Sequence, residues 1–277
     1  MITPAERAYI AEHAYVPEHL SHYVTAISQT EPFLFGNFVV HVRSEHVILV
    51  GYPLRGDFDD AQMLRLLDEA KARFKPSVIS IIASMLPAAL KDCAPSSPDE
   101  YYRLDLAQLA IPQKTRNMLT RARRDVSVSI ASFGREHGGV IEEFLRARRL
   151  DDATRFIFQR VSEYSRCDTA RIFEARDARG NLVAFDIAEF GARQYAFYMF
   201  NFRSREHDIP GASDLLLAHI VECAQVEGKR YVNLGLGVDA GGVFFKRKWG
   251  ATPFLRHVSC AQVSARKESW GGLFDKL

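Results

Sequence analysis

Cysteine is scarce in this chain, and its placement excludes two kinds of framework. Four cysteines occur in 277 residues, far apart and without a CxxC pair: Cys93, Cys167, Cys223 and Cys260. This spacing favours isolated thiols in a reducing compartment over a disulfide scaffold or a zinc site.

The first residues do not have the pattern expected of a signal peptide, and long apolar runs are missing as well. Residues 1–19 carry charges throughout and contain no apolar core of a signal peptide. No window approaches the roughly 18 consecutive apolar residues that a membrane helix needs. We therefore expect a cytoplasmic protein without an integral membrane segment.

Charge of one sign and nucleotide-binding loops are missing as well. Lys and Arg number 36 against 34 Asp and Glu, so net charge indicates neither a nucleic-acid binder nor a membrane-surface binder. There is no P-loop and no GxGxxG, which argues against a nucleotide hydrolase or a dinucleotide oxidoreductase. No Ser-His-Asp or Cys-His signature is present, and the nine histidines have no metal-ligand spacing, so we expect no metal site.

The hydrophobic patterns that are present predict a mixed α/β protein. In the first half they predict a hairpin within 35–54, a helix at 57–74, a strand at 77–83 and an edge strand at 101–106. In the second half they predict a basic helix at 114–125, strands at 170–175, 182–190 and 194–202, a helix at 213–225, and a strand at 231–237.

A hairpin, a helix and a returning strand thus recur about 145 residues apart. The recurrence favours a duplicated α/β unit. The alternative is coincidence, because this order of elements is common in mixed folds. We predict two domains, residues 1–109 and residues 110–277.

The loop after residue 202 is the first candidate binding site. It carries Arg203 and Arg205, and Gly211, Ala212 and Ser213 open the next helix. Helix starts attract phosphate or carboxylate, and arginine adds bidentate recognition of the same groups. Taken alone, these residues favour the structural interpretation, an ordinary capped helix.

A glycine-rich strand exit followed by a short cationic helix is the second candidate. Phe245 and Trp249 have the spacing that anchors such a helix to the core, with Lys246 between them and Asp239 before it. Lys246 either stabilises developing negative charge or belongs to a solvated cationic face; for Arg247 and Lys248 the solvated face is favoured.

Five cations within eleven residues mark the third candidate: Lys114, Arg116, Arg121, Arg123 and Arg124. Such a helix can follow a phosphate backbone, as in an RNA-binding protein. A charged, solvated helix face is the commoner explanation.

Three stretches of the second half, residues 114–130, 209–237 and 244–250, resemble the GNAT-fold domain of Fem-type aminoacyl transferases and of the C-terminal domain of lysylphosphatidylglycerol synthases. The resemblance covers about residues 112–263, and the first half is similar as a more divergent GNAT-like unit. It implies an α/β (α+β) fold of tandem GNAT-like mixed sheets flanked by helices, with a structural first half and an active second half.

The resemblance implies transfer of an acyl or aminoacyl group to an amine or hydroxyl, with acyl-CoA or aminoacyl-tRNA as donor and no tightly bound cofactor. The acceptor would be a small molecule, a peptide or a lipid headgroup. Lys246 falls on the family's lysine, which is thought to contact donor or acceptor phosphate and stabilise charge. Arg116 and Asn117 fall on its "RN" pair. The acetyl-CoA pattern Q/R-x-x-G-x-G/A is absent, because Gly211 lies six residues after Arg205 and no second glycine follows.

We therefore expect Lys246 and Asp239 to be catalytic, with Glu189 and Tyr198 as further candidate bases. The donor phosphate is assigned to Arg203, Arg205, Gly211, Ala212, Ser213, Arg116 and Asn117. The acceptor pocket is assigned to Tyr198, Asn233, Phe245 and Trp249. A catalytic second half predicts a cleft lined by Lys246 and Arg205, whereas a non-catalytic GNAT-like ligand-binding protein predicts that the cleft is filled. A non-catalytic RNA-binding protein that uses the basic helix predicts RNA affinity that depends strongly on salt.

Overall fold

The computed structural model describes residues 1–90 and 97–263. Its described strands form one eleven-stranded sheet in the order β1-β2-β3-β4-β11-β5-β10-β9-β8-β7-β6. The strands are β1 Glu31–Phe35, β2 Phe38–Arg43, β3 His46–Val50, β4 Val78–Ala83, β5 Asp99–Asp105, β6 Val126–Ala131, β7 Ala170–Asp177, β8 Leu182–Glu189, β9 Tyr195–Arg203, β10 Tyr231–Leu236 and β11 Thr252–Val263.

Helices cover both faces of this sheet. They are α1 Pro4–His13, α2 Ser21–Ser28, α3 Asp60–Phe74, α4 Gln113–Asp125, α5 Arg135–Ala147, α6 Asp152–Gln159, α7 Val161–Tyr164, α8 Ala212–Val226 and α9 Ala240–Lys248, with a 3-10 turn at Pro17–His19. Thr3 begins α1 with a capping box to Glu6, and Gly228 follows α8 in the left-handed conformation that commonly ends a helix.

The two halves of the sheet have the same local topology. β1, β2 and β3 are antiparallel, and β3 then pairs in parallel with β4 after the crossover helix α3. β7, β8 and β9 are likewise antiparallel, and β9 pairs in parallel with β10 after α8. The two stretches that recur in the sequence therefore have the same arrangement of strands in the structure. The sequence patterns did not predict β1.

Residues 101–106 were expected at a sheet edge, and this prediction is wrong. β5 lies between β11 and β10 and pairs with both. The alternation that suggested an edge comes from the polar residues Arg103 and Asp105. The guanidinium of Arg103, however, stacks over Tyr231 and Phe254 and donates to the hydroxyl of Tyr195. A stacked, hydrogen-bonded arginine is compatible with an interior strand.

β11 joins the two halves. Its first part, from Thr252 to His257, pairs with β5, and its second part, from Val258 to Val263, pairs with β4. The last strand of the second half therefore contacts the first half, while β5 contacts the second half through β10.

One prediction about cysteine is corrected. Cys167 and Cys223 are free, but Cys260 is disulfide-bonded. Separation along the chain does not limit which cysteines meet in a fold, so spacing alone could not exclude this bond. Cys93 lies outside the described residues.

In residues 1–90 and 97–263, no helix combines the length and the apolar composition that crossing a membrane requires. The same ranges hold no group of three or more His, Cys, Asp or Glu side chains able to bind a metal ion.

Candidate functional site

β9 and β10 diverge after a short parallel pairing. Their register runs from Tyr231↔Tyr195 to Asn233↔Phe197, after which β9 continues to Arg203 and β10 ends at Leu236. Gly235, with φ of +77°, and a register shift in the β10–β5 pairing accompany the divergence. The corresponding strands of the first half, β3 and β4, stay paired over five residues. The sheet is therefore open in the second half and closed in the first.

An arginine-lined cavity of about 500 Å³ lies at the β9 side of this divergence. Arg203 and Arg205 line it together with Arg148, which directly follows α5, and Asn201 of β9. A second cavity of about 310 Å³ shares Arg205 with it. Arg203 pairs with Asp208, and the guanidinium of Arg148 stacks on Phe144 at 4.6 Å. The structure thus brings both predicted loop arginines into one anion-compatible cavity.

Lys246 lies at the other side of the divergence, at the end of β10. Its side chain is 7% exposed, and Nζ donates a hydrogen bond to the carbonyl of Leu236, the last residue of β10. Burial lowers the pKa of Lys246 to about 8, although the charges of Asp99 and Asp239 act in the opposite direction. The interpretation of Lys246 as part of a solvated face is therefore wrong, whereas Arg247 is exposed as expected. Lys246 is absent from the lining of both Arg205 cavities.

Asp239 caps the helix that carries Lys246. Its carboxylate accepts the Gly242 N–H at 2.7 Å, and Asp239 is exposed. This bond accounts for the residue as a helix cap. Its catalytic assignment stays a prediction.

The start of α8 is covered by α4. Gly211 has φ of +86°, and a Cβ placed there would lie 3.2 Å from Cβ of Ala122 and 3.3 Å from Cγ of Met118. Ala212 is fully buried, and the hydroxyl of Ser213 interacts with Asn201. The Ala212 N–H already donates to the carbonyl of Ile209 at 3.3 Å.

Two of the predicted acceptor-pocket residues have structural partners. Trp249 is fully buried and donates its indole N–H to Asp214 of α8. Asn233 is also fully buried; its amide donates to the carbonyl of Tyr15 and its oxygen accepts the Gly235 N–H, both at 2.8 Å. These bonds fix the shape of the strand exit.

The other two, Tyr198 and Phe245, stack on each other across the divergence, with ring centroids 6.1 Å apart. Burial raises the pKa of Tyr198, and the nearby carboxyl of Asp186 adds to the effect. Burial likewise raises the pKa of Asp186 well above its ordinary value, which favours its uncharged form, and Asn201 donates to it. Asn201 connects this buried acid with the arginine-lined cavity.

Glu189, a candidate base, pairs with Phe197, the last residue of β9 that pairs with β10, and lies at the opposite end of β8 from the arginine-lined cavity. It is fully buried and accepts hydrogen bonds from Tyr164 and from the Gly191 N–H, with His22 at 3.0 Å. Burial acts to raise its pKa, but the hydrogen bonds outweigh burial and the pKa is lowered. A carboxylate with this many partners is held ionised rather than poised to accept a proton.

Arg116 and Asn117 lie on the exposed side of α4. Arg116 donates to the carbonyl of Ile111 at 2.8 Å, and Asn117 accepts from Gln113 at 2.7 Å. These contacts are within the helix and the turn before it. All five cations of the basic helix are exposed.

Three carboxyl groups near the divergence were missed by sequence reasoning: Asp99, Asp186 and Asp214. Asp214 follows the predicted helix start by one residue, so its position was visible. Asp186 and Asp99 become neighbours of the site only through the strand order, for which the sequence contains no local signal.

No family model matches the chain, and no curated protein matches it. Solved structures do resemble it. L-PGS from Bacillus licheniformis is 15% identical with a TM-score of 0.61, covering 96% of this chain and 93% of that one. A GCN5-related N-acetyltransferase from Kribbella flavida is 16% identical with a TM-score of 0.54, covering 95% and 96%. FemX is 10% identical with a TM-score of 0.59, covering 93% and 96%.

At these identities the likeness concerns the fold. The suspected GNAT-like architecture is confirmed: the chain is a mixed α/β protein of tandem GNAT-like sheets flanked by helices.

Proposed function

We propose that the chain is an acyltransferase that moves an acyl or aminoacyl group to an amine or hydroxyl acceptor at the divergence of β9 and β10. The observation that carries the proposal is this divergence. It occurs between two parallel strands that the crossover helix α8 connects, and it lies at their carboxyl ends. Ligands of open α/β sheets bind at such strand ends. The likeness to L-PGS and FemX is consistent with this class of reaction.

The arginine-lined cavity is the proposed site for the donor's phosphate groups. Arg148, Arg203 and Arg205 surround a space of about 500 Å³. Planar guanidinium groups bind phosphate in a bidentate manner. Acyl-CoA and aminoacyl-tRNA both carry phosphate, so this cavity suits either donor.

Lys246 is the proposed electrostatic catalyst. In the reaction the acceptor nitrogen or oxygen bonds to the acyl carbon, the bond from that carbon to the donor sulfur or oxygen breaks, and the acceptor's proton is transferred to the departing sulfur or oxygen. Negative charge develops on the carbonyl oxygen, and a buried ammonium stabilises it strongly. Reaching that oxygen requires Lys246 to exchange its present bond to Leu236.

The proposal assigns a structural role to residues 1–109 and the active site to residues 110–277. β3 and β4 stay paired where β9 and β10 diverge, which supports a structural role for the first half. The shared strand topology favours tandem duplication, with β5 and β11 joining the two units. A cytoplasmic location also belongs to the proposal, because both donor classes are made there.

Donor binding and transfer test the proposal. Acetyl-CoA, a longer acyl-CoA and a charged tRNA are titrated against the wild type and Arg205→Ala, and transfer to amine acceptors is then measured with the donor that binds. We expect Lys246→Ala to lower the transfer rate by about a hundredfold or more, as for the loss of one oxyanion donor.

Arg247→Ala is the matched control, since Arg247 is the exposed neighbour of Lys246 on the same helix. It should transfer at the wild-type rate. Full activity in Lys246→Ala would refute the electrostatic assignment. Binding of none of the three donors would refute the choice of donor.

A second candidate function is non-catalytic RNA binding through α4. It is favoured by the exposure of all five cations of this helix, Lys114, Arg116, Arg121, Arg123 and Arg124. In addition, the hydroxyl of Thr115 donates to the carbonyl of Lys248, so this cationic helix lies beside the cationic helix α9. This function predicts RNA affinity that falls steeply with salt in the absence of any transfer.

A further inference from the structure

β6 ends the eleven-stranded sheet, and its outer edge is unpaired in the part of the chain that the structure describes. There, β7 alone pairs with it, from Val126↔Asp177 to Ala131↔Ile172. In an antiparallel pair, every second residue turns its N–H and C=O away from the neighbouring strand. β6 therefore presents a row of backbone donors and acceptors to any strand that approaches it.

Sheet edges normally carry features that prevent such pairing, and β6 lacks the commonest of them. Charged residues, proline and β-bulges are the usual protection. β6 runs for six residues with none of these, because Val126–Ala131 reads Val-Ser-Val-Ser-Ile-Ala and its register with β7 is unbroken. The opposite edge of the sheet differs, since β1 begins with Glu31 and Pro32. The edge of β6 is thus open to an added strand in a way that the edge of β1 is not.

The side chains of β6 separate into an apolar row and a serine row. Val126 and Val128 pack against the core cluster that includes side chains of α4 and α8. Ile130 lies on the same face, because side chains alternate along a strand. It is 58% exposed, so the apolar row begins in the core and ends in solvent. Ser127 and Ser129 form the other row, and both are exposed.

This alternation makes β6 complementary to a second copy of itself. When two β6 strands pair antiparallel about a two-fold axis at Val128, Val126 of one copy faces Ile130 of the other. In the same register Ser127 of one copy faces Ser129 of the other. Apolar side chains then meet on one face and hydroxyl groups on the other, and cross-strand pairs of both kinds stabilise sheets.

The charges that flank β6 are compatible with this pairing. Arg124 and Asp125 directly precede the strand. In the same register they face Ser132 and Ala131 of the second copy, so no two like charges oppose each other. A two-fold contact uses the same edge of both copies, which closes the assembly at a dimer.

We propose that the edge of β6 is the docking surface for a second copy of this chain, so that one sheet continues through both molecules. A contact confined to two six-residue strands is smaller than the roughly 1,200 Å² that lasting complexes bury. We therefore expect a weak dimer with a dissociation constant in the micromolar range. β7 and β8 separate β6 from β9, so the inference does not depend on the proposed transfer site.

Sedimentation analysis from the low micromolar to the millimolar range measures the association. We expect the wild type to change from monomer to dimer over this range. Ile130→Lys should raise the dimer dissociation constant about tenfold or more, because it places a charge against apolar residues of the second copy. Ser129→Lys carries the test if Ile130→Lys fails to fold, since a lysine on an edge strand also blocks pairing.

Val226→Lys is the matched control. Val226 is another exposed apolar residue, at the end of α8, and is 88% exposed. This variant adds the same charge away from β6 and should dimerise as the wild type does. A dimer that Ile130→Lys and Ser129→Lys weaken no more than Val226→Lys would overturn the inference, as would a wild type that stays monomeric into the millimolar range.

Hydrogen–deuterium exchange tests the backbone contact directly. Deuterium uptake into a peptide that covers residues 126–131 should fall as the concentration of the wild type rises, because pairing protects the outward N–H groups. The same peptide of Ile130→Lys, and a peptide that covers β1, should show no such dependence. Protection of β6 in the wild type that is equal at every concentration would mean that another part of the same chain covers the edge, and would overturn the inference.

Discussion

Trp249 donates its indole N–H to Asp214 at 2.8 Å and so connects the end of α9 with the first turn of α8. Lys248 contacts the same carboxylate at 2.6 Å. The two helices flank the divergence of β9 and β10, so this carboxylate sets the distance between the two sides of the proposed active site. A carboxylate in the first turn of a helix is also favoured by the helix dipole.

Asp214→Ala should destabilise the protein by about 2 kcal/mol, because it leaves the fully buried indole N–H of Trp249 without an acceptor. Chemical denaturation gives the free energy of unfolding. Asp208→Ala, which breaks the more exposed pair with Arg203, serves as the control and should cost no more than about 1 kcal/mol. Equal costs for the two variants would contradict the structural role of Asp214.

Lys246 should make stability depend on pH in a defined window. Its pKa is about 8 in the folded chain against 10.5 ordinarily, so between these values the unfolded chain binds a proton that the folded chain has released. Stability therefore rises with pH in that window. Relative to Lys246→Met, the wild type should gain on the order of 3 kcal/mol from pH 8 to 10.5. Unfolding of both proteins in urea at a series of pH values measures the difference, and parallel curves would show that the ammonium is not desolvated.

Much of the fold could be predicted from the sequence, because helices and antiparallel strands depend mainly on residues that are close together in the chain. The helix at Ala212–Val226 and the antiparallel strands from Ala170 to Arg203 follow from hydrophobic pattern and turn residues. β5 was misplaced because strand order depends on long-range pairing, here with β10 and β11. Its partly buried Arg103 has the polar character of a residue on the outer face of an edge strand, although its guanidinium stacks over Tyr231.

The candidate site was only partly predictable for the same reason. Arg203 ends β9 and Arg205 lies two residues further on, so their common cavity follows from their closeness in the sequence. Lys246 was singled out by its spacing from Phe245 and Trp249, which anchor its helix. Asp99, in contrast, accepts a hydrogen bond from the Gly237 N–H, 138 residues away in the sequence. No pattern in the residues around Asp99 predicts this contact.

Glu18 should contribute stability that is lost as pH rises. Burial raises its pKa, so the folded chain holds a proton that the unfolded chain releases above about 4.5, and stability falls through this range. Tyr101 donates to one of its oxygens at 2.5 Å, and the other oxygen has no partner among the described residues. Glu18→Gln removes the titration and should be at least as stable as the wild type at pH 7. Denaturation of both proteins between pH 4 and 8 tests this, and a large loss in Glu18→Gln at pH 7 would show that the carboxylate is ionised.

Gly211 tests how tightly α4 covers the start of α8. Gly211 and Gly180 have nearly equal φ values, +86° and +85°, but a Cβ on Gly180 meets nothing within 4 Å, whereas one on Gly211 meets Ala122 and Met118. Both alanine variants carry the left-handed backbone penalty of about 1–2 kcal/mol. Gly211→Ala should cost about 1 kcal/mol more, since the added methyl overpacks the contact with α4. If the two free energies of unfolding fall by the same amount, α4 yields easily, and a donor phosphate can reach the start of α8 at little cost.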